Sequence, residues 1–181
     1  MKLKQLTIAA ITLTAALSVA PLAAQTEAAS TTAANPLAQA DKDFVQAASM
    51  SSSTEIDAAK LATANSEDKD VKSFAHHMMI DHTKLTMQLK MAAPHGVTVP
   101  KDNSDTTVLG PLKGLKGKAF DQAYISKVGV EGHKQAIAAF EKEIADGQNA
   151  KLKTAAQDAL PTIKKHYQMA QDLAAKKGAS Q

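Results

Sequence analysis

The stretch Val71–Ala93, VKSFAHHMMIDHTKLTMQLKMAA, decides the fold. Taken in steps of four and three it gives Val71, Ala75, Met78, His82, Leu85, Leu89 and Ala92, an unbroken stripe of the kind a helix buries against its neighbours. One member of that stripe is a histidine. The helix stops at Pro94 and His95-Gly96, where the backbone donor is lost and the chain can turn.

Upstream, Asn65-Ser66 breaks the pattern, and Glu67, Asp68 and Asp70 put negative charge on the first turn of this second helix, where the helix dipole favours it. The first helix is expected from Asn35-Pro36, with Asn as cap and Pro in the first turn, to about Ala64. Its inward face runs Phe44, Ala48, Ser51, Glu55, Ala58 and Ala62, with a carboxylate in the middle. So short a link makes the two helices an antiparallel hairpin.

Downstream lies VTVPKDNSDTTVLGPLKGLKG, with three glycines and two prolines, too long for an ordinary connection. A crossover along the bundle explains it: a helix of about 27 residues is about 40 Å long, within reach of an extended loop at about 3.3 Å per residue. Helices two and three are then parallel. The third helix is expected over residues 118–145 with the stripe Ala119, Ala123, Ser126, Val130, His133, Ile137, Phe140 and Ile144. Asn149 caps a fourth, whose stripe is Leu152, Ala156, Ala159, Ile163, His166, Ala170 and Leu173, with a kink expected at Pro161 and a stop at Lys176-Lys177-Gly178. This is an all-α four-helix bundle over residues 41–177 with a short tail at 178–181.

Residues 1–24 read as a secretory signal, with Lys2 and Lys4 at the start, an apolar run from Leu6 to Ala20, and cleavage expected near Ala24. The run is too short to be a spanning helix. Residues 25–40 are small and polar and read as a disordered leader. The expected compartment is the periplasm or the exterior, and the lack of cysteine excludes disulfides and a lipid-modified cysteine anchor. Without Lys2 and Lys4, 19 lysines face 18 acids, and the chain has no arginine to grip phosphates or base edges. Nucleic acid is excluded as a partner on these grounds, whereas an envelope protein is not.

Each helix thus carries one metal-competent side chain in an otherwise apolar stripe: Glu55, His82, His133 and His166. With the crossover in place, their heights along the bundle differ by about six residues, or about 9 Å. Three imidazoles and a carboxylate suit zinc, copper or iron. The competing reading is a buried polar layer without metal, hydrogen-bonded so that it sets helix register. A second candidate, for a soft metal, is His77, Met78 and Asp81 with the nearby His76, Met79, Met87 and Met91, although methionine at helical spacing more commonly fills core. There is no nucleophile elbow, and Gly110, Gly114 and Gly117 lack the Lys-Ser/Thr ending of a phosphate loop, so the chain does not read as a nucleophilic enzyme. Gly129 and Gly132 mark close helix approach.

The segments DKDFVQAASMSSSTEIDAAKLA, VKSFAHHMMIDHTKL, GKAFDQAYISKVGVEGHK and LPTIKKHYQMAQDL together resemble the secreted bacterial proteins of domain of unknown function 4142, often labelled outer membrane proteins. The resemblance covers roughly residues 40–175 and implies a ferritin-like four-helix bundle in the envelope. Asp81-His82, His133, Leu160-Pro161 and His166 fall where that family's recurring residues fall. The acid usual before the third-helix histidine is Gly132 here, with Glu131 one place earlier.

Unlike di-iron ferritin-like sites, which use Glu-x-x-His pairs, this chain has Met79, Val130 and Ile163 three residues before its stripe histidines. A di-iron oxidase is disfavoured. The expectation is a non-enzymatic envelope protein holding one transition metal and serving stress tolerance or metal handling; the alternatives are a metal-free interaction module and a metal-dependent oxidase or peroxidase with an open coordination position.

Overall fold

The structure, a computed structural model, describes residues 37–180. The predicted signal, most of the leader and the Asn35-Pro36 helix start lie outside the described residues. Within them every regular element is a helix, in the order α1 (Gln39–Asn65), α2 (Lys69–Ala92), α3 (Thr106–Lys113), α4 (Gly117–Tyr124), a π-helical segment (Ile125–Gly132), α5 (His133–Asp146) and α6 (Ala150–Lys177). α4, the π segment and α5 run on without a break, forming the third long helix of a four-helix bundle.

The ends of the helices identify the topology. Asp41 Oδ1, at the start of α1, accepts from the amides of Gln148 and Asn149 between α5 and α6, and Lys116, just before α4, bonds Asn65 at the end of α1. At the opposite end of α6, Lys176 and Lys177 pair with Asp68 and Asp70 at the start of α2. Neighbouring helices are therefore antiparallel, and α2 is parallel to the third long helix through the crossover, as the loop length requires. The caps follow local chemistry: Asp68 accepts from the amides of Asp70 and Val71, and Asn149 from those of Lys151 and Leu152. Gly178 takes the left-handed conformation (φ 66°) while Ala179 N–H closes on Ala174 O. α6 continues as helix through Pro161.

Three features differ from the sequence expectations. Helix one begins at Gln39, inside the stretch read as leader. The crossover contains α3, capped by Asp105, whose side chain accepts from Thr107 N; its apolar Leu109 and Leu112 are buried. The stripe drawn for helix three holds only in part. Val130, His133 and Phe140 are buried, but Ala119 is exposed and Phe120, Tyr124, Ile125 and Val128 occupy the core instead. The π segment is the reason: its wider turns advance the inward face relative to a uniform period of 3.6, so a stripe extrapolated back from His133 slips off the buried face.

The core is in two parts. One gathers Ala58, Ala62, Phe74, Met78, Phe120, Tyr124 and Ala170, the other Phe44, Ala48, Leu85, Phe140, Leu152 and Ile163. Between them, at one level of all four long helices, lie Glu55, His82, His133 and His166.

A separate buried acid sits at the α5–α6 turn. Glu143 is 1% exposed, and burial together with the neighbouring Asp41 carboxyl pushes its own carboxyl up to about 7. Because the folded value lies above the unfolded one, its contribution to stability is complete below pH 4.5 and is lost as pH rises through about 7. Glu143→Gln is therefore expected to match the wild type in urea unfolding near pH 4.5 and to exceed it at pH 9 by up to about 3 kcal/mol, at 1.36 kcal/mol per unit. A stability difference that does not change with pH contradicts this account.

Candidate metal centre

The three stripe histidines come from α2, the first position of α5, and α6, and expose 2%, 0% and 1% of their surface. The ring centroids of His82, His133 and His166 are 5.4–5.6 Å apart. One nitrogen from each ring lies within 4.8 Å of one from each of the others.

In every ring one nitrogen is held from outside the trio. His133 Nδ1 lies 3.3 Å from Val128 O and 3.3 Å from Glu55 Oε1. His133's own backbone N–H bonds Val130 O, and its ring takes up the Val128 carbonyl five residues back in the π segment. A carbonyl can only accept, so Nδ1 carries the proton and Nε2 presents a lone pair. His166 Nε2 is 2.9 Å from Asp81 Oδ2. A carboxylate there accepts from Nε2–H and leaves Nδ1 as the lone-pair nitrogen. His82 Nδ1 is 3.4 Å from Ser52 Oγ, the longest of these contacts, with a hydroxyl that can play either part. The nitrogens left without any hydrogen-bond partner are His82 Nε2, His133 Nε2 and His166 Nδ1.

Three fully buried ring nitrogens without partners are costly, because each loses water and gains nothing in exchange. Their surroundings also disfavour positive charge. Burial, and then the proximity of His133 and His166, holds the His82 imidazole well below its ordinary range. Burial followed by His166 holds His133 down to about 4. For His166 burial lowers the value while the Asp81 carboxylate opposes it. At neutral pH the cluster is three neutral imidazoles with lone pairs, the form that binds metal.

Glu55 is 2% exposed and faces this layer from α1, but it stands behind His133, outside the group of three convergent nitrogens. Burial pushes its carboxyl well above the usual range, and its Oε2 has no partner. Tyr124 OH, also without a partner, has its ionisation driven up by burial and by Glu55. Gly132, where the resemblance led to an acid, leaves room for Glu55: a Cβ there would come 3.2 Å from Glu55 Oε1.

The second, soft-metal cluster is not brought together. Met78 is fully buried in the apolar core, His76 and His77 are exposed, and Asp81 turns to His166. Met87 and Met91 are 60% and 73% exposed. At this spacing Met78 is a core residue, and successive residues of α2 point to different faces. The part of Asp81 was missed in the sequence because its partner is 85 residues away. Its place beside His82 was visible, but nothing local shows it reaching across to α6. Ser52 and the Val128 carbonyl carried no signal.

No curated protein matches the sequence. A solved structure of a DUF305 protein from Streptomyces coelicolor, described as secreted, has the same fold at a TM-score of 0.64 and 16% identity, covering 78% of this chain and 94% of that one. The profile of the domain of unknown function family DUF4142 matches residues 26–173, and the protein belongs to that family.

Proposed function

We propose that the protein binds one transition-metal ion, zinc, copper or iron, through His82 Nε2, His133 Nε2 and His166 Nδ1, and that it handles metal or protects against stress in the cell envelope. The observation that carries this reading is the set of three buried, unpartnered ring nitrogens. A layer that only set helix register would satisfy its polar atoms internally. Here each ring has one nitrogen with a partner outside the trio and one with none, as in sites where hydrogen-bonded imidazoles are oriented toward a metal. Asp81, Glu55 and the Val128 carbonyl do the orienting. Three imidazoles leave a four-coordinate ion one position for water or another small ligand.

The envelope location rests on the signal read at residues 1–24, on the family match beginning at residue 26, and on the described secretion of the structural relative. No helix among the described residues is long and apolar enough to cross a membrane.

Elemental analysis of protein purified without chelator or affinity tag is expected to find about one equivalent of a single metal, removed by strong chelators and restored by the salt. Asp81→Asn should keep one site yet weaken it about 10- to 100-fold, the usual effect of losing an imidazole's outer partner. Titration of chelated protein with zinc measures this directly. Unchanged affinity would remove Asp81 from the site.

A further inference from the structure

A cavity of about 470 Å³ lies between α1, α3 and the π-containing helix. This is within the range of about 300–1,000 Å³ typical of small-molecule sites. Its walls are mostly apolar, formed by Ala47, Val108, Pro111, Ala123, Ala136 and Ala139. Glu55 and Gly132 also line it, and the missing side chain of Gly132 leaves the space in front of the Glu55 carboxyl clear. Glu55 is the same residue whose Oε1 lies 3.3 Å from His133, so its carboxyl separates the cavity from the histidine cluster. Its Oε2 is buried and without a hydrogen-bond partner, whereas the other charged groups around the cavity are engaged. Lys127 pairs with Glu131 at 3.0 Å, and Asp105 accepts from Thr107 N and Oγ1.

We propose that this cavity is a binding site for a small, neutral, largely apolar molecule whose hydroxyl end hydrogen-bonds Glu55 beside the three histidines. The apolar walls supply the contact area, and the carboxyl supplies the one polar anchor. A hydroxyl can donate or accept and so pairs with a carboxyl in either of its protonation states. An anionic end group would meet Glu55, and the lysine of the lining, Lys127, is already paired with Glu131. A cationic end group would meet the metal behind His133, and this exclusion is the part that rests on the metal reading.

The test uses 2-naphthol as probe, with naphthalene-2-sulfonate and 2-naphthylmethylamine as charged analogues, in equilibrium dialysis against the zinc-loaded and the chelator-treated protein. Metal content is measured on the same samples. In the zinc-loaded protein 2-naphthol is expected to bind one to one, at least tenfold more tightly than either analogue. Ala139→Phe, which fills the cavity from its wall away from Glu55 and the histidines, is expected to weaken 2-naphthol binding at least tenfold while leaving metal content unchanged. Ala47→Phe fills the same space from α1 and replaces it if the first variant does not fold.

Binding of 2-naphthol that is absent, that survives in a folded filled variant, or that a charged analogue matches in the zinc-loaded protein overturns the proposal. Naphthol binding that Ala139→Phe blocks in a protein that never takes up metal leaves the pocket standing and removes the metal centre. Metal uptake without naphthol binding does the reverse.

Discussion

Replacing His82 and His133 together by alanine is expected to abolish stoichiometric metal binding. The pair supplies two of the three convergent nitrogens, and one imidazole cannot hold zinc, copper or iron against water and buffer. The loss should exceed about 100-fold, more than the removal of an outer hydrogen-bond partner costs. Stability gives an independent reading. Zinc at 100 times its dissociation constant should raise the unfolding free energy of the wild type by about 2.7 kcal/mol and that of the double variant by nothing. A polar layer that merely fixed register would lose stability on mutation and show no metal dependence before or after it. Since both residues are almost fully buried, circular dichroism and urea unfolding of the variant must accompany the titration.

Gly129→Leu is expected to be the most damaging substitution in the third long helix. Gly129 lies in the π segment where it crosses α6, and a Cβ there would stand 3.0 Å from Ala170 Cβ and 3.5 Å from Phe74 Cε1. The remaining atoms of a leucine have no place between the two helices, so they must separate next to His133 and His166. Overpacking of this kind costs about 3 kcal/mol, and Gly129→Ala should cost less. Ala170→Gly introduced beside Gly129→Ala should restore part of the loss, since the two positions share one contact and are not additive. Chemical denaturation of the four proteins tests this, and full additivity would place the strain elsewhere. Metal affinity should fall with stability in Gly129→Leu, because the contact sets the distance between the helices that carry two of the histidines.

Much of this architecture could be read from local chemistry. Asn149 caps α6, Gly178 ends it, and the acids at 68 and 70 begin α2, because each such signal acts within one turn of the residue that carries it. His82, His133 and His166 were visible as candidates because each interrupts an apolar stripe. Heights along the bundle placed them together with Glu55 within about 9 Å, and the structure brings nitrogens of the three histidines within 4.8 Å of one another.

The features that escaped depend on phase or on distance. The π segment changes the residue count per turn, and a stripe drawn with one period from Ala119 to Ile144 averages over the change. α3 was hidden by Gly110 and Pro111, which read as loop, although Asp105-Thr106-Thr107 carries a cap signal. Glu55 was correctly placed in the polar layer of α1. Its relation to His133 rather than to the convergent nitrogens depends on side-chain geometry that no periodicity conveys. In the grouping of His77 with Met78 and Asp81, Met78 turns into the core while its neighbour His77 faces out, and Asp81 reaches across to His166.

The π segment connects these observations. It puts the Val128 carbonyl within reach of the His133 ring, brings Gly129 against Ala170, and leaves Gly132 in front of Glu55. π-helical turns are infrequent and recur at functional sites. In this protein the segment sets the tautomer of one histidine and shapes one wall of the neighbouring cavity.

X-ray absorption spectroscopy of the protein carrying its bound metal tests the central claim most directly, because it counts the imidazoles around the ion. Three imidazole nitrogens, at about 2.0–2.1 Å for zinc, with the imidazole scattering lost in the His82→Ala/His133→Ala variant, is the predicted result. A bound ion surrounded mainly by oxygen, or a folded wild type that takes up no zinc, copper or iron at all, would contradict the account.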